Sequence, residues 1–191
     1  MDKKWFRIIN GLAGRCSPVD TVMIGLANKA RYVYLFVFIW MWFQNKSSRK
    51  TVVDAGGCAV IAVLVNSLIK LLYYRPRPFV KRRVGILIPS KMDSSFPSKH
   101  TLLAFTVSTL VFLRKRALGC RLWGLAVMTG FSRIWTGHHY PSDIMGSALI
   151  GSLIGMVGHT CSRFIDFHWI RSAYTSVLDG MWRNPMNDRI D

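Results

Sequence analysis

Acidic residues, and charged residues in general, are scarce in this chain of 191 residues. Nine Asp and Glu residues stand against 26 Lys and Arg residues, and all charged residues together make up 18% of the sequence. Hydrophobic residues make up 51%. A soluble protein of this length rarely needs so many long apolar runs, whereas a membrane-spanning helix needs about 20 mainly apolar residues. The composition therefore favours a polytopic membrane protein with one domain.

Cysteine is also sparse and carries no recognisable pattern. The four cysteines, Cys16, Cys58, Cys120 and Cys161, show neither CxxC spacing nor the spacing of metal ligands. Cys58 and Cys161 fall in apolar stretches, where cysteine behaves as a small hydrophobic residue. The cysteines thus predict neither a disulfide nor a cysteine-bound metal, and we expect no cofactor. The N-terminal residues lack the continuous apolar core of a cleaved signal peptide.

The net charge of +17 has three common explanations: nucleic acid, anionic lipid or an anionic substrate. Nucleic acid binding is disfavoured because the basic residues are divided among short loops between apolar runs. Much of the charge is expected simply because Lys and Arg accumulate in cytoplasmic loops.

Five apolar segments predict an all-α membrane bundle of five to six transmembrane helices. They run over about residues 19–43, 51–74, 98–113, 118–135 and 141–161. Residues 1–16 have the apolar spacing of an amphipathic helix at the membrane interface. Residues 17–165 form the predicted membrane domain, and residues 166–191 a cytoplasmic tail. A sixth crossing near the N-terminus would invert the orientation of that end.

The basic connections at residues 45–50 and 114–121 lie on one side by alternation, and we assign that side to the cytoplasm. Residues 75–97 and 136–140 then face the opposite, extracytoplasmic side. The first of these outer loops is also basic, against the usual bias. Either it binds an anionic ligand, or loop charge sets the topology only weakly here.

Polar side chains collect at the outer ends of four of these segments, where charge near lipid is costly and therefore indicates function. They are Lys70 and Arg77 around the end of the second segment, Ser98 and His100 at the start of the third, Ser132 and Arg133 at the end of the fourth, and His139 and Asp143 around the start of the fifth. Side-by-side packing of the helices would gather them around one pocket.

These residue types suit phosphoryl transfer. Three cations would bind phosphate, and without an anion they would need a counter-ion or a carboxylate nearby. A neutral histidine can attack phosphorus, and a carboxylate on its other ring nitrogen fixes the tautomer. Asp143 follows His139 by one helical turn, which fits such a pair and favours His139 over the adjacent His138. His100 is a candidate general acid and base, although a structural role at a helix start would also explain it.

Three blocks in order resemble the signature of the type 2 phosphatidic acid phosphatase (PAP2) superfamily, KxxxxxxRP, PSGH and SRxxxxxHxxxD. They occupy residues 70–78, 97–100 and 132–143, with Lys99 where the family usually has glycine. The resemblance implies a metal-independent phosphatase with a helical bundle and a phosphohistidine intermediate. It implies that His139 is the nucleophile, Asp143 its partner and His100 the acid–base group, and that Lys70, Arg77, Ser98 and Arg133 bind phosphate.

The contexts of these blocks are similar to those of bacterial undecaprenyl-pyrophosphate phosphatases associated with bacitracin resistance. That similarity implies hydrolysis of an isoprenoid lipid pyrophosphate to the monophosphate carrier of cell-wall synthesis. Lys81, Arg82 and Arg83 in the outer loop are then candidates to hold the second phosphate.

Other interpretations remain open at this point. The same chemistry would serve phosphatidylglycerol phosphate or phosphatidic acid, and vanadate would inhibit either enzyme. A lipid or anion transporter also uses basic sites in membrane helices, but it needs no nucleophile. His100, His139 and Asp143 would suit a metal ion, although the neighbouring cations Lys70, Arg77 and Arg133 would repel it. The sequence says nothing of the oligomeric state.

Overall fold

The computed structural model describes residues 2–81, 87 and 93–164. Arg82, Arg83, the side chain of Lys81 and the predicted tail at 166–191 lie outside the described residues. The described chain is helical and contains no strand. Its helices are α1 (Asp2–Asn10), α2 (Ser17–Gln44), α3 (Lys46–Leu72), α4 (Pro78–Lys81), α5 (Lys99–Arg114), α6 (Arg116–Trp135) and α7 (Pro141–Phe164).

The five long helices match the five predicted segments to within a few residues at each end. Within the described residues, α2, α3 and α7 are long and apolar enough to cross a membrane. The 16 residues of α5 extend about 24 Å, which is less than the ~30 Å of the hydrocarbon core. α5 packs against α3 and α6, and α2 also contacts α3 and α6. The prediction of an all-α membrane bundle is confirmed.

Polar contacts between α2, α5 and α6 fix the centre of this bundle. The Tyr34 hydroxyl of α2 lies 3.1 Å from Ser108 Oγ of α5 and donates to the Leu122 carbonyl of α6 at 3.0 Å. Around it, Leu110 and Val111 are fully buried. At the end of the bundle near the α2–α3 turn, Arg114 pairs with Asp54 at 2.5 Å and so connects α5 with α3.

The N-terminal helix lies at the opposite end, where α6 ends and α7 begins. Phe6 packs on Ile134 and Tyr140, and Asn10 donates to the Trp135 carbonyl at 2.8 Å. Since α1 has nine residues, it is too short to span a bilayer. Asp20, near the start of α2, accepts from the Trp135 indole at 2.8 Å. The N-terminal segment and the polar ends of α3, α5, α6 and α7 are therefore at the same end of the bundle.

Glycines bring α7 against the backbone of α5. A Cβ added at Gly151 would lie 2.4 Å from the Leu102 carbonyl oxygen, and one at Gly155 would lie 2.6 Å from that of Thr106. Small residues permit such close helix contact in membranes. This contact sets the position of the first turn of α7 relative to the start of α5.

We predict that Gly151→Ala destabilises the protein by about 1–3 kcal/mol, because backbone atoms cannot move aside for the new methyl group. Gly57→Ala in α3 is the matched control, since a Cβ there meets nothing within 4 Å. Alanine is also the better helix former by about 1 kcal/mol. Thermal denaturation in detergent should show a lower midpoint for Gly151→Ala only. Equal midpoints for the two variants would contradict the close packing of α7 on α5.

Candidate active site

Two predicted phosphate ligands, Lys70 and Arg77, flank the end of α3 and share one carboxylate. Lys70 Nζ lies 2.8 Å from Asp93 Oδ2, and Arg77 Nη2 lies 2.5 Å from Asp93 Oδ1. Burial acts to raise the pKa of Asp93, but the hydrogen bond from Lys70 and the charge of Arg77 outweigh it and lower that pKa. The expectation of a carboxylate beside these cations is confirmed. Asp93 therefore supplies an internal anion for both cations.

Arg133 connects α6 with the start of α5. Its Nη2 lies 3.3 Å from His100 Nδ1, and its Nη1 donates to the Ala27 carbonyl of α2 at 3.4 Å. Because arginine only donates, His100 Nδ1 accepts and the proton of the neutral ring is on Nε2. The buried Nε of Arg133 has no hydrogen-bond partner in the described part of the chain. Arg133 therefore retains donor capacity for an anion.

His139 lies in the turn between α6 and α7 with its ring buried. Its Nδ1 is 2.6 Å from the Ser95 carbonyl oxygen. A carbonyl only accepts, so Nδ1 carries the proton and Nε2 has a free lone pair. Burial, followed by the charges of Arg77 and Arg133, lowers the pKa of His139 well below its usual value. The ring is thus held neutral, with the tautomer that a nucleophile needs.

Asp143 does not contact His139, and the predicted direct pair is corrected here. Its buried carboxylate accepts from Arg75 Nη1 at 2.5 Å, from Ser95 Oγ at 2.5 Å and from the Tyr140 backbone N–H at 2.9 Å. Asp143 is the third residue of α7, and an acid at this position reaches back to cap the helix start. This capping contact holds the Asp143 carboxylate away from the His139 ring. The ring contacts the Ser95 carbonyl oxygen instead.

Arg75 and Ser95 belong to the site but were not predicted. Besides Asp143, Arg75 pairs with Asp2 of α1 at 2.6 Å and lies 4.6 Å over the Tyr140 ring. The hydrogen bonds from Ser142 and the charge of Arg75 outweigh burial and lower the pKa of Asp2. The only sequence signals for these residues are that Arg75 lies within the first block, at a variable position, and that Ser95 lies two residues before the second block.

Ser98 caps α5 and is completely buried. Its N–H donates to Ser147 Oγ at 2.8 Å, and its Oγ accepts from Thr101 Oγ1 at 3.1 Å. Within the described residues, no contact uses its hydroxyl proton. Lys99 is the first residue of α5, so the residue that replaces glycine adopts ordinary helical backbone. Its side chain is exposed.

His138 is also buried, although only one of the two adjacent histidines was expected near the pocket. Its Nδ1 lies 3.0 Å from Thr136 Oγ1, and its ring packs edge-on against Phe79. Burial and the charges of Arg133 and Arg77 lower the pKa of His138 to about 4. Arg77 and Arg133 are within electrostatic range of His100, His138 and His139 alike. The structure therefore gathers all three rings around the same two cations.

The described residues do not form a site for a metal ion. Among the described residues, no group of three His, Cys, Asp or Glu side chains is placed to hold one. The Asp143 carboxylate, which a metal site with His100 and His139 would require, is bound to Arg75 and Ser95.

Comparison with known proteins identifies the family. The profile of the PAP2 superfamily matches residues 51–166. The chain belongs to the PAP2 superfamily. It is 40% identical to the undecaprenyl-diphosphatase BcrC of Bacillus subtilis strain 168, over 97% of each chain. It is 33% identical to the bacitracin transport permease protein BcrC of Bacillus licheniformis, over 96% of this chain and 93% of the relative.

Solved PAP2-type structures share the fold. LpxE of Aquifex aeolicus superposes with a TM-score of 0.72 at 27% identity, covering 82% of this chain and 93% of that one. The PAP2-type phosphatidylglycerolphosphate phosphatase of Bacillus subtilis superposes with a TM-score of 0.65 at 20% identity, covering 86% and 87% of the two chains. The PAP2 assignment agrees with a membrane bundle whose signature blocks meet at one end.

We predict that Asp93→Asn lowers the inhibition constant for vanadate roughly three- to tenfold. This is the effect expected when a partly exposed ion pair worth about 1 kcal/mol no longer competes with the inhibitor. The variant removes the internal anion that occupies Lys70 and Arg77. Asp54→Asn is the matched control, because it breaks an ion pair at the far end of the bundle. Weaker vanadate inhibition of Asp93→Asn would instead mean that Asp93 is needed to hold the two cations in place.

Because the pKa of His139 is lowered, its ring should stay neutral as the pH falls from 7.5 to 5.5. A histidine with the usual pKa of about 6.5 would become protonated over this range and lose its nucleophilic lone pair. A ¹⁵N spectrum of histidine-labelled protein in lipid measures this directly. An imidazolium signal from His139 at pH 5.5, assigned by its absence in His139→Gln, would contradict the prediction.

Proposed function

We propose that the protein is an undecaprenyl-diphosphatase that removes the terminal phosphate of undecaprenyl pyrophosphate. The observation that carries the proposal is the pair of complementary rings among cations: His139 presents a lone pair at Nε2, and His100 presents a proton at Nε2. Extensive identity with a named undecaprenyl-diphosphatase supports the choice of substrate. Lys70, Arg77, Ser98 and Arg133 are the proposed phosphate ligands.

In the first step, the lone pair of His139 Nε2 attacks the terminal phosphorus. A P–N bond forms and the bond from phosphorus to the bridging oxygen breaks. The bound diphosphate displaces Asp93 from Lys70 and Arg77 and draws the Arg133 guanidinium away from His100 Nδ1. Its negative charge then favours a doubly protonated His100. His100 then passes its Nε2 proton to the departing oxygen of undecaprenyl phosphate. The phosphorylated His139 ring is cationic, and the Ser95 carbonyl accepts its Nδ1–H.

In the second step, water attacks the phosphohistidine from the side that the lipid phosphate has left. The bare Nε2 of His100 takes a proton from this water, an O–P bond forms and the P–N bond breaks. Inorganic phosphate is released, and His139 returns to the neutral ring. Cations around the transferred group stabilise its equatorial oxygens throughout.

We also propose that the site faces the extracytoplasmic side of the plasma membrane. The basic connections at 45–50 and 114–121 are at the end of the bundle away from the site, which supports a cytoplasmic position for that end. Lys81, Arg82 and Arg83 remain candidates for the second phosphate of the substrate.

The substrate is tested by phosphate release in detergent from undecaprenyl pyrophosphate, phosphatidylglycerol phosphate and phosphatidic acid. We expect the isoprenoid pyrophosphate to give the highest kcat/KM. Exclusive hydrolysis of the two glycerophospholipids would refute the substrate assignment. Lipid or bacitracin movement in vesicles without phosphate release would instead support transport, the activity named for the Bacillus licheniformis relative.

The nucleophile is tested by comparing His139→Gln with His138→Gln. The reaction with ³²P-labelled lipid pyrophosphate is quenched in alkali, where phosphohistidine persists. We expect His139→Gln to lose the label and at least about 10³-fold in kcat, the scale for removal of a catalytic nucleophile. His138→Gln should retain the label. Loss of the label in His138→Gln alone would transfer the role to that ring.

A further inference from the structure

Ser95 uses every polar group that it has at the junction between Asp143 and His139. Its side chain is completely buried. Its N–H donates to the Arg75 carbonyl at 2.7 Å, its Oγ donates to Asp143 Oδ2 at 2.5 Å, and its carbonyl accepts from His139 Nδ1 at 2.6 Å. Ser95 precedes the second signature block, and the proposed chemistry assigns it no side-chain role.

We propose that Ser95 is the positioning residue of the nucleophile, and that Asp143 acts on His139 through Ser95 and not by direct contact. The inference rests on the proposed phosphatase mechanism, and it identifies what holds the attacking ring. Asp143 is itself fixed by Arg75 and by the Tyr140 N–H at the start of α7. A fixed carboxylate that binds Ser95 Oγ determines where the Ser95 carbonyl points.

The direction of that carbonyl matters for two states of the ring. In the resting enzyme, it accepts Nδ1–H and so leaves the lone pair on Nε2, which attacks phosphorus. In the phosphorylated enzyme, the ring is cationic, and the same carbonyl dipole stabilises the Nδ1–H. Removal of the Ser95 hydroxyl breaks the hydrogen bond to Asp143 but leaves the Ser95 carbonyl in place. The His139 ring then keeps its hydrogen-bond acceptor, but the position of that acceptor is no longer fixed.

The neighbouring Ser94 offers a matched control. It is also buried, but its hydroxyl contacts only backbone groups: it accepts from the Arg75 N–H at 3.2 Å and lies 3.0 Å from the Phe96 carbonyl oxygen and 3.3 Å from that of Tyr73. None of these contacts involves Asp143 or His139. Ser94→Ala therefore reports the cost of losing a buried serine from the same loop.

The proposal is tested by a double-mutant cycle on Ser95→Ala and Asp143→Asn, using the lipid phosphate that the wild type hydrolyses fastest. Each single variant should lower kcat about 10²-fold, as expected for a misplaced reacting group, with less change in KM. If the two residues act in series, the double variant should be no slower than the slower single variant. Ser94→Ala should retain kcat within about threefold, below that scale of misplacement.

Two outcomes of the cycle would overturn the proposal. A near wild-type kcat for Ser95→Ala, beside a slow Asp143→Asn, would mean that Asp143 reaches His139 directly during turnover. Multiplicative losses in the double variant would mean that the two residues act independently. Thermal denaturation midpoints of all variants separate loss of folding from loss of rate.

A spectroscopic measurement keeps the test independent of the substrate. In ¹⁵N-histidine-labelled protein in lipid without substrate, His139 should be protonated at Nδ1 in the wild type and in Ser94→Ala. Ser95→Ala should show a second, Nε2-protonated population. An unchanged single tautomer in Ser95→Ala would refute the positioning role, whereas failure of the lipid panel alone would refute only the proposed substrate.

Discussion

Positive charge held at the end of an apolar bundle is the constraint on which the rest of the site depends. Arg77 and Arg133 are buried, and an uncompensated buried charge costs several kcal/mol. Asp93 pairs with both Lys70 and Arg77 and offsets one of their two positive charges. Arg133 has only His100 and the Ala27 carbonyl as hydrogen-bond partners among the described residues. The pocket therefore lacks negative charge beside His100, where an incoming phosphoryl group can supply it.

The carboxylates of Asp2 and Asp143, at the same end of the bundle, do not supply the negative charge that is lacking beside His100. Arg75 lies between Asp2 and Asp143 and binds both. Its single positive charge is shared by the two carboxylates and so partly offsets that of Asp143. Asp143 can thus order Ser95 and the start of α7 while its negative charge is partly compensated. The same guanidinium connects α1 with the site, so the N-terminal helix becomes part of the structure around His139.

The sequence predicted the helices and the signature residues well, because both depend on local patterns. Apolar runs located all five long helices, and alternation placed Lys70, His100, Arg133 and His139 at the same end. The contacts of Asp143 could not be predicted by spacing, since one helical turn fits both a histidine pair and a capping interaction. Only the folded loop decides between them. Arg75, Asp93 and Ser95 were missed for a related reason: their contacts form where residues 73–77 and 93–98, which are distant in sequence, meet near the end of α3.

The depth of the pocket relates this charge arrangement to a lipid substrate. Arg133, which contacts His100, donates to the Ala27 carbonyl, and α2 begins ten residues before Ala27, at Ser17. The N-terminal part of α2 therefore extends beyond the level of these two residues. On the surface of α1, Trp5 and Ile8 are 58% and 51% exposed, which suits contact with the lipid interface at the height of the site. In the proposed reaction, the isoprenoid chain anchors the diphosphate in the same membrane and so lowers the entropic cost of binding. The proposed exchange on Lys70 and Arg77 replaces the Asp93 carboxylate with the more highly charged diphosphate.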